Sequence, residues 1–354
     1  MSGKELGNTL YGLVTQMGLA YHALPRPLLA SIYRAIESAD TGNRTMGITF
    51  DKQALTAVLQ SLASRTDRES EGARSPSSWR DLPAGVQSAI LHSSRQLLEA
   101  EEAEGGETRT VFDVKLLSDI LQSLGRLRVR WLSDLPSAFR ALIFRLLSEA
   151  ADFEIEVEAS ATSAAVSSAI NGIARMVLNE RGTAQEAEAG PVEGWCSLSL
   201  SEQATLSRLL IKYTSSMSSN DIASIFWALS SLEVHYPNLP ENLRATVMKG
   251  FNDTLSGMQL SEFVWTLHSS SKIGLRFADF SSPTQDTIIS LVDDFVKKMK
   301  GNDFRYYGLL LWVLTSLQAP MNELPESIRA SFLSAVGSVL NQRQRIKWSN
   351  KKRK

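Results

Sequence analysis

Ile120-Leu-Gln-Ser-Leu-Gly-Arg-Leu-Arg-Val-Arg-Trp-Leu-Ser-Asp-Leu-Pro-Ser-Ala-Phe139 decides how the whole chain is read. It runs from the end of one apolar helical period, through a basic connection with an aromatic, into Leu-Pro and a second helical period. After Pro136, Phe139, Leu142, Ile143 and Leu146 fall at the 0, 3, 4, 7 spacing of one buried helical stripe. Proline pre-sets φ and lacks the N–H that a first helical turn leaves unused, so it is expected at the first helical position. The stretch is therefore a helix, a turn and a helix.

The unit recurs. Leu-Pro appears at Leu24-Pro25, Leu82-Pro83, Leu135-Pro136, Leu239-Pro240 and Leu324-Pro325, each leading into an apolar helical period. The helix before it is clearest at Ile225-Phe-Trp-Ala-Leu229, Phe263-Val-Trp-Thr-Leu267 and Leu310-Leu-Trp-Val-Leu314, with weaker copies ending at Leu13, Leu62, Leu124 and Ile173. The third position of the copies reads Tyr11, Gln60, Gln122, Asn171, Trp227, Trp265, Trp312; the next is mostly small. A second aligned aromatic lies between the helices: Tyr21, Trp79, Trp131, Trp195, Tyr236, Phe277. The expected fold is all-α: an α-solenoid of about seven helix-turn-helix repeats over residues 1–341, starting near 3, 51, 112, 160, 218, 258 and 302, with acidic or polar insertion loops. A basic tail, 342–354, follows. Phe153-Glu-Ile-Glu-Val157 alternates with period two and reads as an extended insertion, or alternatively as a short unpaired strand.

Composition narrows the function classes. The chain has 354 residues, 43% hydrophobic and 21% charged, and a net charge of −1. The single Cys196 excludes an internal disulfide and a zinc site built on paired cysteines. No apolar run approaches the roughly 18 residues that span a bilayer, so no membrane partner is expected. Met1-Ser-Gly-Lys-Glu enters a helical pattern at once, with no presequence in view. The near-neutral total is uneven: insertions 99–107, 150–160 and 180–194 are strongly acidic, and the rest of the chain is net basic.

Catalytic patterns are not found. His22, His92, His235 and His268 are single and widely separated, without metal-ligand spacing, and His22 and His235 read as turn or packing residues. There is no phosphate-binding Gly-Lys-Ser/Thr loop and no Gly-x-Ser-x-Gly elbow. Asp293-Asp294 reads as a solvated face paired with Lys297 and Lys298, and Cys196 as a partly buried thiol. The expectation is a non-enzyme with no cofactor, metal or small-molecule substrate. The aligned Tyr11, Trp227, Trp265 and Trp312 are expected in the inter-repeat core, with stacking on nucleic-acid bases as the alternative, and the connector aromatics are expected to clamp each hairpin onto the next.

Gly7-Asn-Thr-Leu-Tyr-Gly-Leu13, then Met17-Gly18, then Leu24-Pro25, is similar to the helical-pair repeats of octotricopeptide-type proteins. The pattern also resembles heptatricopeptide proteins, the helical regions of FAST-kinase-like and RAP-domain proteins, and helical subunits of the mitochondrial RNA-editing substrate-binding complex. It covers nearly the whole chain, well in units 1, 3 and 5 to 7 and loosely in 2 and 4, without a recognisable RAP domain after residue 341. The resemblance implies an RNA-binding solenoid in organellar RNA processing, stability or translation, in the mitochondrion ahead of the chloroplast. Its partners would be single-stranded RNA and proteins of a ribonucleoprotein complex. The alternative is a protein–protein interaction scaffold.

Repeat solenoids read bases through polar side chains of one helix per repeat, which singles out Asn8, Gln60, Gln122 and Asn171. Phosphate contacts are expected from the connections, Arg126, Arg128, Arg130, Lys272 and Arg276, and from the tail residues Arg343, Arg345, Lys347, Lys351, Lys352 and Arg353.

Overall fold

The computed structural model describes residues 2–16, 24–38, 50–63, 78–104, 114–152, 159–181, 194–298, 304–322 and 324–334. Residues 153–157 and the basic tail therefore lie outside the described residues, as do His22 and Tyr21. The described chain is all-helical, without strands. It divides into two compact units, Met1–Ser216 and Met217–Lys354.

In the first unit, helices α1 (Gly3–Tyr11), α3 (Lys52–Ala63), α5 (Val114–Arg126) and α7 (Ala159–Arg181) are the first members of successive pairs. Each packs on the next: α1 on α3, α3 on α5, α5 on α7. The second members are α2 (Arg26–Glu37), α4 (Ala84–Glu104), α6 (Ser137–Asp152) and α8 (Leu200–Tyr213). Of these, α2 packs on α4 and α6 on α8. The second unit repeats the scheme. First helices α9 (Ser219–Ser231), α11 (Leu260–Lys272) and α13 (Phe304–Ser316) pack in sequence, and α10 (Glu241–Leu255) lies against α12 (Ser282–Lys298).

First helices start on capping boxes. The amide of Ser2 donates to Glu5 (2.7 Å), that of Ser218 to Asp221 (3.0 Å) and that of Gln259 to Glu262 (3.0 Å), satisfying N–H groups that a helix start leaves orphaned. The second helices α2, α4, α6 and α10 start on Leu-Pro, but in α2 and α10 the proline is not the first helical residue. Pro25 and Pro240 are extended in ψ (135° and 143°) and stand one residue before it. Their carbonyls accept the first helical bonds, from Leu29 and Arg244. Proline serves as an N-cap here because that position needs only a carbonyl and no N–H.

First helices also end alike. After the C-cap residues Leu127, Leu232, Ile273 and Leu317, the next residue is left-handed: Arg128 (φ 61°), Glu233 (φ 51°), Gly274 (φ 91°) and Gln318 (φ 58°). The following amide then reaches back to the helix, Val129 to Leu124 (3.1 Å), Val234 to Leu229 (3.0 Å), Leu275 to Ser270 (3.0 Å) and Ala319 to Leu314 (2.9 Å). This is the Schellman arrangement, which satisfies the last carbonyls of the helix. Gly274 is glycine for a second reason: a Cβ there would sit 2.8 Å from the His235 ring, which packs on the turn as expected.

The connection then makes one short turn opened by the aligned aromatic, at Trp79–Asp81, Tyr236–Asn238 and Phe277–Asp279. Its backbone N–H crosses to the next first helix, at the C-cap residue in three cases and at Met176 within the last turns of α7 in the fourth. Trp79 donates to Leu127 (2.6 Å), Trp131 to Met176 (3.3 Å), Tyr236 to Ile273 (2.8 Å) and Phe277 to Leu317 (2.7 Å). Trp79, Trp131 and Phe277 are buried, and Trp131 meets Phe144 edge-on at 5.8 Å, so these connector aromatics do clamp one pair onto the next.

Small residues set how closely first helices approach. A Cβ on Gly172 would lie 2.6 Å from the Leu121 carbonyl carbon, 2.7 Å from its oxygen and 2.8 Å from the Gln122 nitrogen. Those are backbone atoms with nowhere to move. By contrast Gly308 in α13 has nothing within 4 Å of a built Cβ. Gly172→Ala should therefore destabilise the fold by about 1–3 kcal/mol through overpacking. Gly308→Ala should stabilise it by up to about 1 kcal/mol through helix propensity. Urea unfolding of the two variants reads both signs.

Candidate functional site

The common cap gives the first helices a shared register. Counting five residues back from the C-cap reaches Gln122, Trp227, His268 and Trp312. In α7 the acceptor Met176 takes the place of the C-cap residue, and the same count reaches Asn171. Sequence reading had set Trp265 in this row; it belongs one turn earlier. A helix of 3.6 residues per turn keeps its apolar stripe under a three-residue slip, so Phe263, Val264 and Leu267 imitate the repeat. What hides the true register is that Thr266 and Ser270 stand where α9 has Ile225 and Leu229. Both are fully buried, their hydroxyls donating one turn back to Glu262 (2.7 Å) and Thr266 (2.8 Å).

The row faces away from the core. On either side of it the helices are closed: Ile120, Leu121 and Leu124 are fully buried, and Ile225, Phe226 and Leu229 nearly so. The row itself is open: Gln122, Asn171 and Trp227 are half-buried, and Trp312 is 47% exposed. Trp265 beside it is 50% exposed, and Tyr11 on α1 is exposed with Asn8. The expectation that these aromatics fill the inter-repeat core is thus corrected. They stand on the turn of the stripe opposite the neighbouring second helices, where a large ring meets solvent. Gln60 is exposed on α3, and Asn171 accepts from Arg175 Nε (2.8 Å), which holds its amide in place.

Around His268 the second unit builds a cluster. The imidazole is 8% exposed, 5.8 Å from the Trp265 ring and 4.3 Å from the Trp312 ring, so α11 and α13 are joined through it. Its Nδ1 is enclosed without a hydrogen-bond partner. Burial, assisted by the Lys272 charge one turn on, pushes the imidazole below its ordinary 6.5 and keeps it neutral near pH 7.

Charge on the first helices is one-sided. Among the described residues their carboxylates are Glu5, Asp119, Glu180, Asp221 and Glu262. Glu5, Asp221 and Glu262 accept amides at their own helix starts, and Glu180 accepts the amides of Leu132 (3.0 Å) and Ser133 (3.3 Å). The cations Lys115, Arg126 and Lys272 lie exposed on the stripe of the row, and Arg175 half-buried on it. Second helices carry both signs, as in α12, which has Asp286, Asp293 and Asp294 beside Lys297 and Lys298, and where Asp293 pairs with Lys297 at the i,i+4 spacing.

The connection cations stay near these helix ends. Arg126 and Arg128 are exposed, whereas Arg130 is half-buried and its amide donates to Asp134 (2.9 Å). Arg276 is exposed, its amide capped by Asp279 (2.7 Å). A groove of about 730 Å³ lies between α6 and α8, lined by Arg140, Arg145, Cys196 and Glu202 among others, with no histidine. Cys196 is exposed there rather than partly buried. No group of three metal-ligating side chains occurs among the described residues, and no described helix is long and apolar enough to cross a membrane. No family model matches the chain, and no curated protein matches it.

His268 supplies a pH test. The other charged residues of the three helices are Asp221, tied into its cap, Glu262 and Arg305, at the first turns of α11 and α13, and Lys272. A folded histidine held below 6.5 binds fewer protons than the unfolded one, so stability is constant above that pH and falls as acid drives protonation below it. Urea midpoints should drop between about pH 7.5 and about pH 5.5, and the drop should shrink in His268→Gln.

Proposed function

We propose that this chain is a non-catalytic α-solenoid that binds single-stranded RNA on the first-helix side chains of its units. The observation that carries the reading is the chemistry of those first helices. First helices present amide and aromatic side chains together with Lys115, Arg126, Arg175 and Lys272, while four of their five described carboxylates are engaged at caps and connections. A polyanion meets cations and flat polar or π surfaces on that face, and little that repels it.

The recurring cap and the recurring cross-pair amide bond support the repeat reading. In the first unit Gln122 and Asn171 offer amide groups that pair with base edges. The resemblance to octotricopeptide-type repeats places such an activity in organellar RNA processing, stability or translation, with the mitochondrion the first choice of compartment and other proteins of a ribonucleoprotein complex as neighbours.

Filter binding of the full chain to single-stranded RNA across a salt series tests this. Micromolar or tighter binding that weakens steeply with salt is expected, and Lys115→Ala combined with Arg126→Ala should lower the log–log salt slope by about 1–2. No micromolar binding to any single-stranded RNA, or a flat salt slope, would overturn it.

A further inference from the structure

We propose that Trp265 and Trp312 form a stacking platform on the second unit that takes unpaired nucleobases without regard to their identity. The proposal rests on the RNA reading above and names what this part of the face recognises. Its starting point is two indoles that the fold leaves about half in water, at 50% and 47% exposure, although aromatic side chains of this size dominate core energetics when buried. Neither belongs to a loose end. Trp265 lies in the middle of α11 between the buried Val264 and Thr266, and Trp312 in the second half of α13 between the half-buried Leu311 and the buried Val313.

The indoles are held apart. His268 sits between them, almost wholly buried, in ring contact with each. Because the neutral imidazole occupies the space into which either indole would collapse, their outer faces stay presented. The surroundings suit a nucleic-acid strand. Ser261, Lys272, Gly308, Thr315 and Ser316 are the exposed neighbours on the same stripes of α11 and α13. The set holds one cation, Lys272, and the carboxylate on the Trp265 stripe, the half-buried Glu262, is engaged by the Gln259 amide at the start of α11. Rings, hydroxyls and a cation match bases and phosphates.

Two features set the substrate class. Every base has a π-face, so stacking on indole tolerates any sequence. A duplex keeps its base faces stacked internally and offers none to the platform. The ligand is therefore an unpaired, sequence-tolerant stretch of strand, in contrast to the amide-bearing positions Gln122 and Asn171 of the first unit.

The test uses the full chain with 12-mers of rA, rU and rC, a hairpin duplex and an abasic 12-mer of equal charge. Trp265→Ala and Trp312→Ala should each weaken binding of all three homopolymers by about 5- to 100-fold, with the salt slope unchanged. Trp265→Phe and Trp312→Phe should restore most of it, since the ring is kept. Lys272→Ala should instead lower the salt slope by about 1. In the wild-type chain the homopolymers should quench tryptophan fluorescence and the abasic strand should not, a readout that needs no variant to fold. Salt-dependent RNA binding that survives both alanine variants within twofold, or equal quenching by the abasic strand, would overturn the platform and leave the RNA reading standing. Loss confined to one homopolymer would overturn its sequence tolerance. Absence of all RNA binding would overturn both.

Discussion

The amide that crosses from a connection to the next first helix, as it does at four connections, is the constraint on which the rest of the structure depends. It joins Trp79 to Leu127, Trp131 to Met176, Tyr236 to Ile273 and Phe277 to Leu317. A helix leaves its last carbonyls unpaired, and a connection leaves its amides unpaired. At Leu127, Ile273 and Leu317 each defect satisfies the other across the pair boundary. One such bond contributes only about 0.5–1.5 kcal/mol net, but its direction fixes where the following pair starts. Burial of the ring carried by the same residue supplies the larger energy, and the bond supplies the register.

Register then decides which side chains reach solvent. With the ends of the first helices held in common, the position five residues before the cap falls on the open face in α5, α7, α9 and α13, and in α11 it carries the buried histidine between two exposed indoles. Close approach of the helices sharpens the division. Gly172 lies on Leu121 and Gln122, and a Cβ on Gly125 would sit 3.0 Å from the Gly172 oxygen, so α5 and α7 are nearly in backbone contact. In the second unit bulk replaces closeness: Phe226, Phe251 and Phe280 stack in a chain at 5.6 Å between ring centres. A core made in this way has no room for large side chains on the outer stripe, so indoles found there stay at the surface.

The fold class was legible from residues alone, through the Leu-Pro starts, the connector aromatics and the 0, 3, 4, 7 stripes. The register of α11 was not, although a signal existed. Ile273-Gly274-Leu275 is a helix stop with glycine at the left-handed position, and counting back from it would have set His268 in the row. Counting from the apolar stripe fails because Thr266 and Ser270 bury hydroxyls by bonding their own helix, a choice invisible to hydrophobic periodicity. The exposure of Trp265 and Trp312 was unreadable for a related reason. An indole beside an apolar stripe is equally consistent with either side of the helix until the neighbouring helix is in place.

By itself the sequence determined local matters: about where helices begin and end, and that paired helices repeat. These depend on interactions within a few residues, so propensity and spacing suffice to read them. Only the tertiary structure decided that Glu180 turns onto the amides of Leu132 and Ser133, that His268 is dehydrated beside two indoles, and that aromatic and cationic side chains share a stripe. Each of these depends on distances between helices far apart in the chain, which are set by side-chain volumes and by a backbone bond that no local pattern encodes.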